Sequence, residues 1–307
     1  MANSEPLLDV SLRVDYPNRP MAIQDVTFTM RSGEILGLVG ESGSGKSTIA
    51  LALLRLLTHK MGRTSGRIML NGRDLLSCSE REMERTRGKE MGLVLQSPLA
   101  SLNPALQIGT QVEEAWRVHQ RGGSSMRRKA AQEALARVGL PTDEEFRRRY
   151  PSQVSVGQAQ RVLIAMALIH SPALLIADEP TSALDVVTQT EMLKMLAHLN
   201  QTMGTAILFI SHDLQSVAAI CQRIAVLHDR RIVEIGRTVE LLCKPQHPYT
   251  RKLLESSPWL AWWKDSMISA AAVRPQPVYR DSHGSEEMPP VGTKWGLMSG
   301  DNRPMYQ

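Results

Sequence analysis

Apolar residues in this chain fall into two kinds of run. Some are short and unbroken: ILGLV before Gly40, MGLVLQ at 91–96, ALLIAD at 173–178 and AILFIS at 206–211. A strand covered on both faces has no solvent side to mark with polar residues, so these runs predict buried strands. Others have helical length, among them TIALALLRLL, QRVLIAMALIH and VVTQTEMLKMLAHLNQTMG; the last two precede ALLIAD and AILFIS respectively in the alternation of helix and strand. LDVSLRV, DVTFTM and SGRIMLNGRDL add shorter β-type segments broken by turn residues, and RIAVLHDRRIVEIG predicts a hairpin. Alternating strands and helices imply an α/β fold with a mostly parallel central sheet. From about 98 to 160 the character changes: SPLASLNPALQ predicts a loop, and QVEEAWRVHQ and SSMRRKAAQEALARVGL carry apolar positions three and four apart among charges, which predicts a helical insert. Beyond about 236 the regular period is lost, and a Pro-, Gly- and Ser-rich tail is expected to be poorly ordered alone. No internal repeat is present.

The 307 residues, 42% hydrophobic and 22% charged, are enough for a sizeable core. An excess of 36 Lys and Arg over 31 Asp and Glu gives +5, too mild to single out nucleic acid as a partner. Cys78, Cys221 and Cys243 lie far apart without CxxC or His-linked spacing, which favours free thiols over a disulfide framework or a zinc site. The N-terminal stretch has no basic segment followed by an apolar one, so no signal peptide is expected, and the apolar runs are too short to span a bilayer. A soluble chain is expected, with any membrane-spanning part supplied by other chains.

Four features carry chemistry. GESGSGKST, Gly40 to Thr48, follows a buried strand and opens a helix, matching GxxxxGK[ST]. Its glycines let backbone N–H groups turn toward phosphate oxygens; Lys46 suits β and γ phosphates and the Ser47 hydroxyl suits Mg²⁺. ALLIADE ends in Asp178, placed to hold Mg²⁺, and Glu179, placed to polarise an attacking water as general base. His212 follows the strand AILFIS and Gln96 ends MGLVLQ. Each has a bland alternative: a ligand-free turn, two carboxylates capping a helix, a satisfied core histidine, a polar strand edge.

Taken in order, these pieces resemble the nucleotide-binding subunits of ABC transporters over roughly residues 7 to 256. The resemblance makes GESGSGKST the Walker A loop, with Gly40, Glu41, Ser42, Gly43, Ser44, Gly45, Lys46, Ser47 and Thr48 around ATP. It makes Gln96 the Q-loop glutamine, counted with Ser47 and Asp178 among the Mg²⁺ contacts. VSVGQ becomes the signature, bringing Ser155, Gly157 and Gln158 to nucleotide; SALD is the D-loop with Asp185; His212 is the H-loop switch. Tyr16, thirty residues before Lys46, matches the aromatic that stacks on adenine, although a Tyr before Pro also suits a plain turn. The fold implied is a P-loop NTPase (RecA-like) core with an antiparallel β subdomain and an inserted α-helical subdomain. Its parts are 1–96 and 161–236 for the core, 97–160 for the helical insert, and 237–307 for a C-terminal extension.

SPLASLNPALQIG and KPQHPYTRKLL look like the oligopeptide, dipeptide and nickel importer ATPases of bacteria, although HPYT also occurs in a relative tied to phosphonate breakdown. The resemblance thus implies an ATPase at the cytoplasmic face of the inner membrane. Its partners would be two transmembrane permease subunits, a second ABC ATPase and an external solute-binding protein, without nucleic acid. A P-loop kinase and a non-transport ABC protein are the rival classes; the signature, D-loop and His212 argue against the first. The second usually has two cassettes or a long coiled coil, and this sequence has neither. Because no cysteine follows Cys243, the iron–sulfur cluster of some long relatives is not expected. PWLAWW is expected to pack the tail onto its own domain or to meet a partner or membrane, and RRRYP at 147–151 to be a solvated helix end. Val156 stands where the usual signature has glycine. It would be strained if that position needed a positive φ, and harmless if φ is negative.

Overall fold

The computed structural model describes residues 5–57, 61–257 and 259–260. The described strands are β1 (Leu8–Tyr16), β2 (Arg19–Met30), β3 (Ile35–Val39), β4 (Arg63–Leu70), β5 (Arg73–Asp74), β6 (Met91–Val94), β7 (Leu174–Asp178), β8 (Ala206–Ser211), β9 (Arg223–His228) and β10 (Arg231–Arg237). The helices are α1 (Lys46–Leu53), α2 (Glu80–Thr86), α3 (Pro98–Ser101), α4 (Ile108–Arg117), α5 (Ser124–Arg137), α6 (Glu144–Arg148), α7 (Val156–Leu168), α8 (Val186–Met203), α9 (Leu214–Ile220), α10 (Thr238–Cys243) and α11 (Pro248–Glu255).

The unbroken apolar runs become neighbours in one sheet, ordered β10-β9-β3-β8-β7-β6, while β2-β1-β4-β5 form a separate antiparallel sheet. In the larger sheet β9, β3, β8, β7 and β6 are parallel, and β10 is antiparallel at the edge. Every residue of β3, β7 and β8 is buried, and alternate side chains serve opposite faces. Ile35, Val39, Leu175 and Phe209 join the core that also holds α7, α8 and the helical insert, whereas Leu36, Leu38, Ile176 and Leu208 join the core under the antiparallel sheet. This two-sided burial removes the alternation a half-exposed strand would show.

Register decides where function can sit. Val39 pairs with both Ser211 and Val226, Asp178 with Ile210, and Val94 with Ala177, so the carboxyl ends of five parallel strands form one row. The residues leaving that row include Gly40, His212, Glu179 and, two residues past β6, Gln96. The crevice beyond the carboxyl ends is where open α/β sheets bind ligands.

Four local features depart from the sequence reading. Within the expected loop SPLASLNPALQ, Pro98 at a helix start nucleates the short α3. The helix α2 carries a capping box: Ser79 Oγ accepts the Glu82 N–H at 3.4 Å and the Glu82 carboxylate accepts the Ser79 N–H at 2.7 Å. Past residue 236, α10 and α11 form and put Leu241, Leu242, Tyr249 and Leu254 into the first core. RRRYP is only partly solvated, because Arg147 is 6% exposed and bonds Glu113 at 2.6 Å and Glu144 at 2.9 Å, tying α6 to α4. Such a buried cation needs both carboxylates to offset its lost hydration. Trp259 is partly buried against the first core, while Trp262, Trp263 and the tail lie outside the described residues. The three cysteines are free.

Candidate functional site

The loop after β3 is built by close approaches that side chains would prevent. A Cβ on Gly40 would come within 2.3 Å of the Leu227 carbonyl oxygen on β9. Gly45 has φ +112, a conformation that L side chains rarely adopt, and a Cβ there would meet Ile23 Cδ1 at 2.4 Å. The chain then enters α1 at Lys46, whose Nζ turns back to donate to the carbonyls of Gly40 at 2.8 Å and Glu41 at 3.0 Å. Burial lowers the Lys46 pKa, and the nearby charges of Glu179 and Asp178 oppose that shift. The Ser44 hydroxyl is buried without a hydrogen-bond partner.

Asp178, 4% exposed, sits at the end of β7. Burial raises its pKa; the Ser47 hydroxyl bonded to it and the Lys46 charge pull the other way, and Glu179 adds to the rise. Its Oδ1 is buried and has no donor. An orphaned carboxylate oxygen beside a serine hydroxyl suits a hard divalent cation, and oxygen is the donor Mg²⁺ prefers. Among the described residues no group of three His, Cys, Asp or Glu could hold a metal. A cation here would therefore need phosphate and water oxygens as well, the usual arrangement for Mg²⁺ at a nucleotide.

Glu179 has φ 49 and its N–H donates to the Ile210 carbonyl at 2.9 Å. A left-handed glutamate is a strained conformer retained by its surroundings. Its two carboxylate oxygens are held separately: Oε2 accepts Gln96 Nε2–H at 2.9 Å, and Oε1 lies 3.1 Å from His212 Nδ1. The Gln96 amide nitrogen is thereby committed to Glu179, and its oxygen is the atom left to face a cation.

One cavity gathers Tyr16, Ser42, Gly43, Gly45, Lys46, Ser47, Thr48, Gln96, Glu179 and His212. Ala22 also lines it, although no motif points to that residue; it arrives there because β2 runs beside the loop. Ser155, Gly157, Gln158 and Asp185 do not line the cavity. They form a second constellation at two helix starts. Ser155 caps α7, its Oγ accepting the Gln158 N–H at 3.1 Å while Gln158 Oε1 accepts the Ser155 N–H at 3.0 Å. Asp185 caps α8 by accepting the N–H groups of Val187 and Thr188, and Gly157 lies so near Thr188 that a Cβ would meet its Cγ2 at 2.8 Å. Val156 is the first residue of α7, is exposed, and is not among the residues with positive φ. The strain conceivable from sequence is therefore absent.

The family model described as ABC transporter matches residues 23–182, and that described as oligopeptide/dipeptide transporter, C-terminal region, matches residues 233–281. The chain is 43% identical to the oligopeptide transport ATP-binding protein OppD of Bacillus subtilis over 80% of this chain and 69% of that one. It is 40% identical to the dipeptide transport ATP-binding protein DppD of Escherichia coli over 83% of this chain and 78% of that one. A solved dimeric ATP-binding cassette in a post-hydrolysis state, bound to ADP and Pi, is 28% identical and superimposes with a TM-score of 0.65, covering 75% of this chain and 98% of that one.

Proposed function

The chain belongs to the ABC transporter family of ATP-binding, ATP-hydrolysing subunits, and we propose that it drives a bacterial importer of short peptides. The clamped Glu179 opposite Lys46 supports the hydrolytic part of this reading, and the match of residues 233–281 to an oligopeptide/dipeptide transporter region supports the solute class.

ATP enters as substrate, with its base against Tyr16 and its phosphates in the curl from Gly40 to Thr48. The amides at the start of α1 and the Lys46 ammonium meet the β and γ phosphates. Mg²⁺, held by Ser47, Asp178 and Gln96, would neutralise phosphate charge. Glu179, aimed by Gln96 and His212, accepts a proton as water attacks the γ phosphorus and ADP leaves. His212 also orients the terminal phosphate. Ser155, Gly157, Gln158 and Asp185 face a partner ATPase, completing that partner's site from the far side. Their distance from this chain's own cavity is what a shared site requires.

In the assembly proposed, two permease chains cross the membrane, a second ATPase pairs with this one at the cytoplasmic face, and an external binding protein delivers the peptide. Among the described residues no helix is long and apolar enough to cross a membrane. Glu179→Gln should leave ATP affinity unchanged and reduce hydrolysis at least about tenfold, as loss of a general base does. Undiminished turnover would remove Glu179 from the chemistry. Purification from the native membrane should bring down permeases and a peptide-binding protein, with peptide-stimulated ATPase activity. A copurifying binding protein that ignores peptides overturns the solute class.

A further inference from the structure

Of the pair that meets at the strand ends, His212 is the more open: its side chain is 56% exposed, against 14% for Glu179. A ring with that freedom keeps its 3.1 Å contact with Glu179 Oε1 when the backbone carrying it is fixed. Asp213, the next residue, does the fixing. Its N–H donates to Ser211 Oγ at 2.9 Å, on β8. Its carboxylate caps α9, Oδ1 accepting the Gln215 N–H at 3.0 Å and Oδ2 the Ser216 N–H at 3.2 Å.

Gln189 ties this turn to a second helix, α8. Its Nε2 donates to Asp213 Oδ2 at 3.0 Å and to Ser216 Oγ at 2.6 Å, and the Ser216 hydroxyl donates to the same Oδ2, so the three side chains close a ring. Both amide hydrogens are thereby used. The opposite amide orientation would set a carbonyl oxygen against a carboxylate, which fixes where the nitrogen lies. Ser216 is 2% exposed, and Gln189 and Asp213 are partly buried. None of the three lines the cavity. The anchor is stiff: the Gln189 N–H donates to the Asp185 carbonyl at 2.8 Å, one turn into an 18-residue helix that Asp185 caps.

Resting on the reading of Glu179 as general base, we propose that Gln189 is a positioning residue for hydrolysis. Through Asp213 it holds His212, and through His212 the Glu179 carboxylate, in line for the attacking water. Gln189 itself touches neither nucleotide nor water. Without its amide, Asp213 still bonds Ser211 and α9, so the turn stays folded but is released from α8. A small displacement of His212 misaims the base, whereas the phosphate loop between β3 and α1 keeps its hold on ATP. Turnover falls and nucleotide affinity does not.

The test compares the full chain, purified from its native membrane with the chains that accompany it, with two variants. Gln189→Met keeps the length and removes both N–H groups; Gln189→Arg keeps donors aimed at a carboxylate. Gln189→Met should lower kcat about three- to tenfold, the effect of one net hydrogen bond, with KM and Kd for ATP unchanged. Gln189→Arg should recover most of the lost turnover. Unchanged kcat in Gln189→Met overturns the proposal alone. Equal losses in the two variants, or ATP binding weakened in step with turnover, overturn it in favour of plain packing. Undiminished turnover in Glu179→Gln, measured alongside, removes the reading of Glu179 and this proposal with it.

Discussion

Burial holds the Asp178 carboxyl above its ordinary value of 3.8, and no donor reaches its Oδ1. The sign of the consequence follows from proton linkage. As pH rises from 3.8, the unfolded chain releases this proton first while the folded chain keeps it, so stability falls until the raised folded value is passed and stays lower above it. Asp178→Asn should therefore melt higher than the parent at pH 7, by about 1 kcal/mol or roughly 2–4 °C, while its ATPase activity drops at least about tenfold. Thermal melts across pH 4–8 would check it; a variant less stable than the parent at neutral pH would refute the conflict assigned to Asp178. Such conflicts are legible from sequence when one residue type is demanded at a strand end or a helix start, as at Asp178, Glu179 and Lys46. They are illegible where packing supplies the residue: Ala22 reaches the cavity through β2, and it has no spacing relative to Lys46 that pattern alone would notice.

Between elements, the contact of α7 with α8 sets the geometry of the signature. Gly157 lies in the first turn of α7, and its missing Cβ is what lets Thr188 Cγ2 approach. Helix propensity alone would favour alanine there by about 1 kcal/mol. The contact outweighs it, so Gly157→Ala should destabilise the chain by about 1–3 kcal/mol, as overpacking does. Adding Thr188→Ser deletes the offending methyl and keeps the hydroxyl that bonds Asp185 Oδ2 at 2.7 Å, so the double variant should recover most of the loss. Urea titrations of the four proteins measure the coupling; additive losses would show that the two residues do not collide. Val156, one position earlier, needs no such explanation, since helical φ suits valine and its methyls face outward. Helix starts were legible unevenly for a physical reason. The S-x-x-E pattern at Ser79 is a helix-start signal present in the sequence that the reading of apolar runs passes over, whereas α10 has no side-chain cap and α11 is capped by a histidine, so neither shows the usual signal.

At the scale of the whole molecule, the first core does not stop where the sequence loses its period. Leu241, Leu242, Tyr249, Leu254 and Leu260 are each no more than 8% exposed and share that core with β3, β7 and β8. The Thr238 hydroxyl, itself buried, donates to the Cys221 carbonyl at 2.6 Å and fixes the turn into α10. Residues 238–257 and 259–260 therefore seal the face of the sheet whose strand ends carry the cavity, although by composition they read as a tail. Each of those apolar side chains is worth about 2 kcal/mol when removed from water, so together they approach 10 kcal/mol. That is on the order of the entire stability of a typical domain. A chain ending at Arg237 keeps the Walker A, Walker B, signature and His212 segments, and the motifs alone would predict an active ATPase. The packing predicts the opposite: loss of a cooperative melt, loss of near-ultraviolet circular dichroism, and no measurable ATP binding. A cooperative transition within a few degrees of the parent's would mean that α10 and α11 only cover a core already complete without them.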